Sequence, residues 1–165
     1  MLPVADLLEY TRAIGAAPPQ EEKGEKSVLP PNYADMFGWP EMVAAVARVY
    51  NRLPPQGRTR CAIYASNYGE AGAIDYYGKR YGLPKAISGH NNYWLWGPRG
   101  WTGEVVILVN PPRLAGHSRL FASLRQVDVV RSRYSMPYER SVPIWIGRHL
   151  KIPVEQAWSE VRNYR

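Results

Sequence analysis

The hydrophobic and polar positions of the chain follow two periods. Apolar residues three or four positions apart predict helices over residues 39–53, 69–81, 114–124 and 154–164. Short apolar runs rich in β-branched residues predict strands over residues 60–65, 85–88, 103–109, 126–133 and 143–147. This mixture of helices and strands predicts an α/β fold. More specifically, we expect a three-layer, Rossmann-like domain with a mostly parallel sheet of about five strands.

Residues 1–35 depart from this pattern. A short amphipathic segment, residues 6–14, is followed by a proline pair and by a charged tract at residues 20–26. Such a composition is typical of an exposed connector. The sequence therefore predicts a tether and N-terminal segment in residues 1–35, and a single α/β domain in residues 36–165.

Length and composition indicate a folded domain. The chain has 165 residues, of which 45% are apolar, so it can form one hydrophobic core and is not a disordered chain. Its longest apolar stretches, residues 42–49 and 104–109, are too short to cross a bilayer. The N-terminus lacks the basic-then-apolar pattern of a signal peptide. Taken alone, the chain is expected to be soluble.

The chain is strongly basic, with a formal net charge of +7 and an isoelectric point near 9.6. Such a charge suits a nucleic acid, an anionic membrane surface, or solubility alone. The lysines and arginines are scattered and form no block, and no nucleic-acid-binding motif accompanies them. We therefore expect no nucleic-acid partner, whereas an anionic membrane surface stays open as a partner.

The sequence predicts no metal, no cofactor and no catalytic residue. The single cysteine, Cys61, lies in an apolar run and is expected to be a buried, inert thiol. His90, His117 and His149 are isolated and lack the spacing of a zinc site. The spaced glycines of a dinucleotide site, the Gly-Lys-Ser/Thr of a phosphate loop and the Gly-X-Ser-X-Gly of a serine hydrolase do not occur.

Two stretches carry most of the polar chemistry. Residues 66–71 follow a predicted strand and open a predicted helix, where open α/β sheets usually bind ligands. Residues 88–98 place a histidine, two asparagines and three aromatic residues between glycines. Amides and imidazole can hydrogen-bond hydroxyl groups, and aromatic faces can pack on a sugar ring or on a partner. The candidate ligand-binding residues are Asn67, Tyr68, Glu70, His90, Asn91, Asn92, Tyr93, Trp94 and Trp96.

Both stretches also have a purely structural interpretation. Asn67 suits the N-cap of a helix, and Glu70 suits the first-turn acid that accompanies such a cap. In the loop, the tryptophans would fill the core and the asparagines would satisfy the backbone. A third alternative is a stand-alone hydrolase that uses His90 and Glu70 as acid and base.

The two stretches also carry a family resemblance. Residues 67–78, 81–84 and 87–98 resemble the C-terminal region of bacterial membrane glycosyltransferases of family 39, which include protein mannosyltransferases and aminoarabinose transferases. The similarity extends upstream through residues 33–39 and 2–15, and so covers most of the chain.

The resemblance implies a detached accessory domain. In such enzymes a polytopic membrane portion would transfer a sugar from a polyprenyl phosphate, and the C-terminal region would lie on the extracytoplasmic, periplasmic side. Residues 1–35 would then be the link to the last membrane span. The implied partners are the membrane portion of the same protein and a glycan, an acceptor or a polyprenyl-phosphate sugar. No catalytic residue of the family can be assigned here. The alternative role is a structural module that docks on the membrane portion.

Overall fold

The computed structural model describes residues 3–16, 28–111 and 119–164 of the chain. These residues fold as two compact units. Among the described residues, the larger unit comprises residues 39–111, 119–130 and 142–164, and the smaller one residues 3–16, 28–38 and 131–141. None of the helices in the described ranges has the length and apolar character that a bilayer span requires.

The structure is a mixed α/β fold, as the sequence predicts. The helices are α1 (Val4–Ala13), α2 (Pro31–Ala34), α3 (Trp39–Asn51), α4 (Pro55–Thr59), α5 (Tyr68–Tyr77), α6 (Asn92–Leu95) and α7 (Val154–Glu160). The strands are β1 (Cys61–Ala65), β2 (Val105–Val109), β3 (Phe121–Arg131) and β4 (Ser141–Leu150). Two 3₁₀ turns, Gly78–Tyr81 and Pro137–Glu139, complete the described elements.

The four described strands form one sheet in the order β1-β2-β4-β3. Strands β1 and β2 are parallel, with Ile63 opposite Ile107, whereas β2 and β4 are antiparallel, with Ile107 opposite Ile146. Strand β3 also runs antiparallel to β4, because Lys151 at the end of β4 donates to Leu120 at the start of β3. The sheet is therefore mostly antiparallel.

This sheet differs from the five-stranded, mostly parallel sheet of the Rossmann-like prediction. Residues 85–88 contribute a single parallel bridge, in which Ile87 pairs with Tyr64 beside β1, and do not form a full strand. Residues 121–124, predicted as the end of a helix, belong to β3 instead. The earlier part of that predicted helix, up to residue 118, falls outside the described residues.

Both faces of the central strands are covered. All five residues of β2 are buried, so the sheet needs cover on either side. Helices α3 and α5 cover one face, where Val46 and Ile74 pack with Ile63 and Ile107. The opposite face carries Ala62, Ile87, Val106, Leu108 and Phe121, and α7 reaches it through Trp158. Of the helices in the described ranges, α7 is the one that packs on this face, and it has seven residues.

The smaller unit has its own apolar cluster. Leu29, Ala34 and Met136 are buried, and the α1 residues Leu7 and Leu8 pack against them. The Ser135 hydroxyl donates to the Phe37 carbonyl at 2.9 Å. The charged tract at residues 20–26, part of the predicted tether, lies outside the described residues.

Cys61 is expected to resist modification in the folded chain. Cys61 is the first residue of β1 and its side chain packs in the core, where burial raises the pKa of the thiol to about 12. Because the thiolate is the reactive form, a thiol reagent at pH 8 should react at least about a hundredfold more slowly with the native chain than with the unfolded chain in urea. Absorbance of the released reporter group measures both rates, and equal rates would contradict the burial of this thiol.

Candidate functional site

The two predicted stretches lie side by side at the carboxyl end of β1. The Tyr68 backbone N–H donates to His90 Nδ1 at 3.4 Å, and the two rings lie 5.0 Å apart between centroids. Tyr68 is 57% exposed and His90 is half-buried. The structure therefore brings a tyrosine and a histidine from the two stretches together at the surface.

Asn67 has the capping role that the structural interpretation assigns to it. Its Oδ1 accepts a hydrogen bond from the Glu70 backbone N–H at 2.8 Å, which makes it the N-cap of α5. This bond satisfies one of the free N–H groups at the start of the helix. An N-cap role does not prevent the outer face of Asn67 from meeting a ligand, since the side chain is half-buried.

Glu70 is a buried carboxylate that joins the ends of two strands. Its Oε2 accepts from the Ser66 backbone N–H at 2.9 Å, and its Oε1 accepts from Asn110 Nδ2 at 2.8 Å. Ser66 follows β1 and Asn110 follows β2, so one side chain holds both strand ends. Burial raises the pKa of Glu70 to about 7, and the hydrogen bonds from Asn110 and from the backbone partly offset this rise. The side chain is fully buried, unlike the exposed Tyr68 beside it.

Trp94 is hydrogen-bonded to α7. Its indole N–H donates to the Trp158 carbonyl at 3.1 Å, and the Trp158 indole N–H donates to the Trp94 carbonyl at 3.2 Å. On its other side, the guanidinium of Arg162 lies 4.7 Å from the Trp94 ring centroid. These contacts give Trp94 a structural role, although it is half-buried and does not fill the core as the alternative interpretation of the loop expects.

Tyr93 is likewise held by the fold. Its hydroxyl donates to Asp75 Oδ2 at 3.2 Å, and its ring packs against the core. Burial, with the negative charge of Asp75, raises the pKa of Tyr93 to about 12. Its ring also lies 4.6 Å from that of Trp96, which is 54% exposed and available to solvent.

The two asparagines of the loop have different surroundings. Asn91 has a positive φ of 51°, and its backbone N–H donates to the Asn163 carbonyl at 2.9 Å. Asn92 is exposed at the first position of α6. Of the nine predicted residues, Tyr68, Asn92 and Trp96 are exposed.

A cavity of about 440 Å³ lies next to the two predicted stretches, and the sequence did not predict it. It lies on the sheet face that carries Val106 and Leu108, under α7. The described residues that line it are mostly apolar, with Trp101 and Trp158 as the largest aromatic ones. The polar lining residues are Ser66, Glu160, Arg162 and Asn163, together with Tyr64.

All nine predicted site residues are described, and none of them lines the cavity. Backbone hydrogen bonds nevertheless connect the cavity wall with residues 88–98. The Asn163 N–H donates to the Gly89 carbonyl at 2.8 Å, and the Asn163 carbonyl accepts from the Asn91 N–H. Ser66 lines the cavity directly before Asn67. The sequence did carry a signal, since a strand that is apolar at every position has a second face that other residues must cover.

Two further findings bear on function. Across the part of the chain that the structure describes, no group of three or more His, Cys, Asp or Glu side chains could hold a metal ion. Comparison of the chain with protein-family models, with curated proteins and with solved structures found no match.

Proposed function

We propose that this chain is an extracytoplasmic accessory domain of a membrane-embedded, family 39-like glycosyltransferase. On this proposal it binds a glycan, an acceptor or a lipid-linked sugar headgroup and performs no chemistry itself. The resemblance in residues 67–78 and 87–98 supports the family. The observation that carries the binding role is the 440 Å³ cavity near the pair of Tyr68 and His90.

The chemistry of the cavity suits an amphipathic ligand. Its volume lies within the range of about 300–1,000 Å³ that is usual for small-molecule sites. Trp101 and Trp158 offer aromatic faces to the apolar side of a sugar ring, while Ser66, Arg162 and Asn163 offer polar atoms to hydroxyl groups. An aromatic wall with a few polar groups favours a glycan over a highly charged ligand.

A substitution that fills the cavity tests this role. Ala157→Phe adds a ring to a residue of the cavity wall, and Ala122→Phe makes the same change at an exposed position of β3. Glycans titrated into the wild-type chain should shift the indole N–H signals of Trp101 and Trp158 in NMR spectra. We expect Ala157→Phe to weaken this binding about tenfold or more and Ala122→Phe to leave it unchanged.

Two results would count against glycan binding. One is that no candidate glycan shifts any indole signal of the folded wild-type chain. The other is that Ala157→Phe, folded by its spectrum, binds as tightly as the wild type. Either outcome would favour the docking role below.

A second candidate function is docking on the membrane portion of the same protein. Leu95 is 64% exposed beside Trp96, which is 54% exposed, so the two side chains offer adjacent apolar surface to a partner. The double substitution Leu95→Ser and Trp96→Ser should release the chain from a co-expressed membrane portion in a pull-down. Retention of the double variant would contradict docking through this surface.

A further inference from the structure

Three arginines share one cleft at the opposite end of the sheet. On β3, Val127 packs in the core under α3, and Arg125 lies two positions earlier on the same side. On β4, Ile146 packs in that core, and Arg148 lies two positions later. Arg52 follows the C-terminus of α3, and the three side chains line a cleft of about 370 Å³.

The three guanidinium groups have no acidic partner among the described residues. The ion pairs found there are formed by other cations: Arg48 with Asp128 at 3.3 Å, Arg60 with Glu104 at 2.7 Å, and Lys85 with Asp75 at 3.7 Å. The carboxylates of Asp128 and Glu104, which lie on or beside the strands of the cleft, are thus already paired. Arg52, Arg125 and Arg148 are left as a cluster of like charges.

Such a cluster has an electrostatic cost. Like charges repel one another, and the apolar side chains of Val49, Leu53 and Ile146 in the cleft wall keep part of the water away. The negative end of the α3 dipole favours a cation and so accounts for Arg52. It does not account for the exposed Arg125 and the half-buried Arg148, which line the same cleft from the sheet. An anion in the cleft would relieve the repulsion.

We propose that this cleft binds a phosphate group. Arginine presents several N–H donors in a planar fork that matches two phosphate oxygens, and three arginines can surround one such group. A phosphate monoester and the phosphodiester of a lipid headgroup share this chemistry. The site is separate from the 440 Å³ cavity and does not depend on glycan binding.

The test removes two of the three charges. The double variant Arg125→Gln and Arg148→Gln loses the cleft arginines on the sheet. Its matched control, Arg80→Gln and Arg133→Gln, has the same net charge, +7 − 2 = +5, but changes arginines that lie over tyrosine rings elsewhere. The full chain and both variants are titrated with inorganic phosphate against chloride at constant ionic strength, and the NMR signals of the arginine Nε–H groups are followed.

We expect phosphate to shift the signals of Arg52, Arg125 and Arg148 in the wild type and in the control. In the cleft variant, phosphate should bind about tenfold or more weakly, because charge-assisted hydrogen bonds are lost. Equal weakening in both double variants would show a general charge effect and overturn the proposal. The proposal would also be overturned if the wild-type chain bound phosphate no better than chloride and bound no phosphatidylglycerol vesicles.

Vesicles distinguish the sources of the phosphate. Binding to phosphatidylglycerol vesicles that exceeds binding to phosphatidylcholine vesicles, and that the cleft variant loses, assigns the site to a lipid headgroup. Binding of inorganic phosphate without vesicle binding assigns it to a soluble phosphate compound. If the double variant does not fold, the phosphate titration and the vesicle binding are measured instead on the single variant Arg52→Gln, whose site is exposed just after α3.

Discussion

Replacing Glu70 by glutamine is expected to remove a pH dependence of stability that the wild-type chain shows between pH 5 and pH 8. In the folded chain burial raises the pKa of Glu70 from 4.5 to about 7. The folded state therefore holds a proton that the unfolded state has released in this range. As a result, the free energy of unfolding should fall as the pH rises.

The sign and size follow from the two pKa values. The contribution is fully present below the unfolded value of 4.5 and is lost as the pH rises through about 7. The difference between these values corresponds to about 3 kcal/mol at most. Urea unfolding of the wild type and of Glu70→Gln at pH 5 and pH 8 measures it.

A control separates Glu70 from the other groups that titrate in this range. Glu41→Gln makes the same change at an exposed position in the first turn of α3, and it should keep the wild-type pH dependence. If Glu70→Gln also keeps it, the carboxylate is not buried as described. Because neutral glutamine can still accept from the Ser66 N–H, this variant is expected to fold.

Gly89→Ala is expected to detach the residues after α7 from the loop. A Cβ atom at Gly89 would lie far inside van der Waals contact with the carbonyl oxygen of Val161, a backbone atom that cannot rotate away. The backbone bonds of Gly89 and Asn91 with Asn163 would then break. We expect a loss on the order of 3 kcal/mol in the free energy of unfolding.

Two measurements examine this prediction. Urea unfolding gives the loss of stability, and hydrogen exchange should show that the Asn91 and Asn163 amides lose protection. Gly72→Ala is the matched control, because its Cβ would lie 4.0 Å from the Tyr93 hydroxyl, within α5. It should be neutral or stabilising by up to about 1 kcal/mol. Full protection of the Asn163 amide in Gly89→Ala would refute the close approach.

The local pattern was sufficient to predict the elements beneath the site. Helices α3 and α5 and strands β1 and β2 lie where apolar spacing predicts them, because each buries a regular stripe or run of its own. The class of fold follows from these elements. Strand direction does not, since it depends on how distant segments pair, and here β4 pairs with β2 in the antiparallel sense.

Residues 120–124 show how a local pattern can mislead. Leu120, Phe121 and Leu124 are spaced as on one face of a helix, which supported the predicted helix. In the structure Phe121 and Leu124 belong to an eleven-residue strand that pairs with β4. Pairing along a whole strand outweighs the preference of a few residues, which is a tertiary effect that a short window does not contain.

The candidate site likewise has local features that the sequence predicts and tertiary features that it does not. The N-cap role of Asn67 could be inferred, because capping is a local interaction. The contact of Tyr68 with His90 was only implied, by placing two stretches at neighbouring strand ends. The cavity and the bond between Trp94 and Trp158 depend on where α7 lies, and no sequence spacing gives that position.

The reciprocal hydrogen bonds between Trp94 and Trp158 hold α7 against residues 88–98. Trp158 belongs to α7, which lines the cavity, while Trp94 belongs to residues 88–98, which also carry the exposed Trp96. Moving α7 away from the sheet therefore requires either that both hydrogen bonds break or that residues 88–98 move with the helix. The wall of the cavity is thus tied to a segment far away in the chain, and the cost of displacing α7 includes the loss of both bonds or the displacement of that segment.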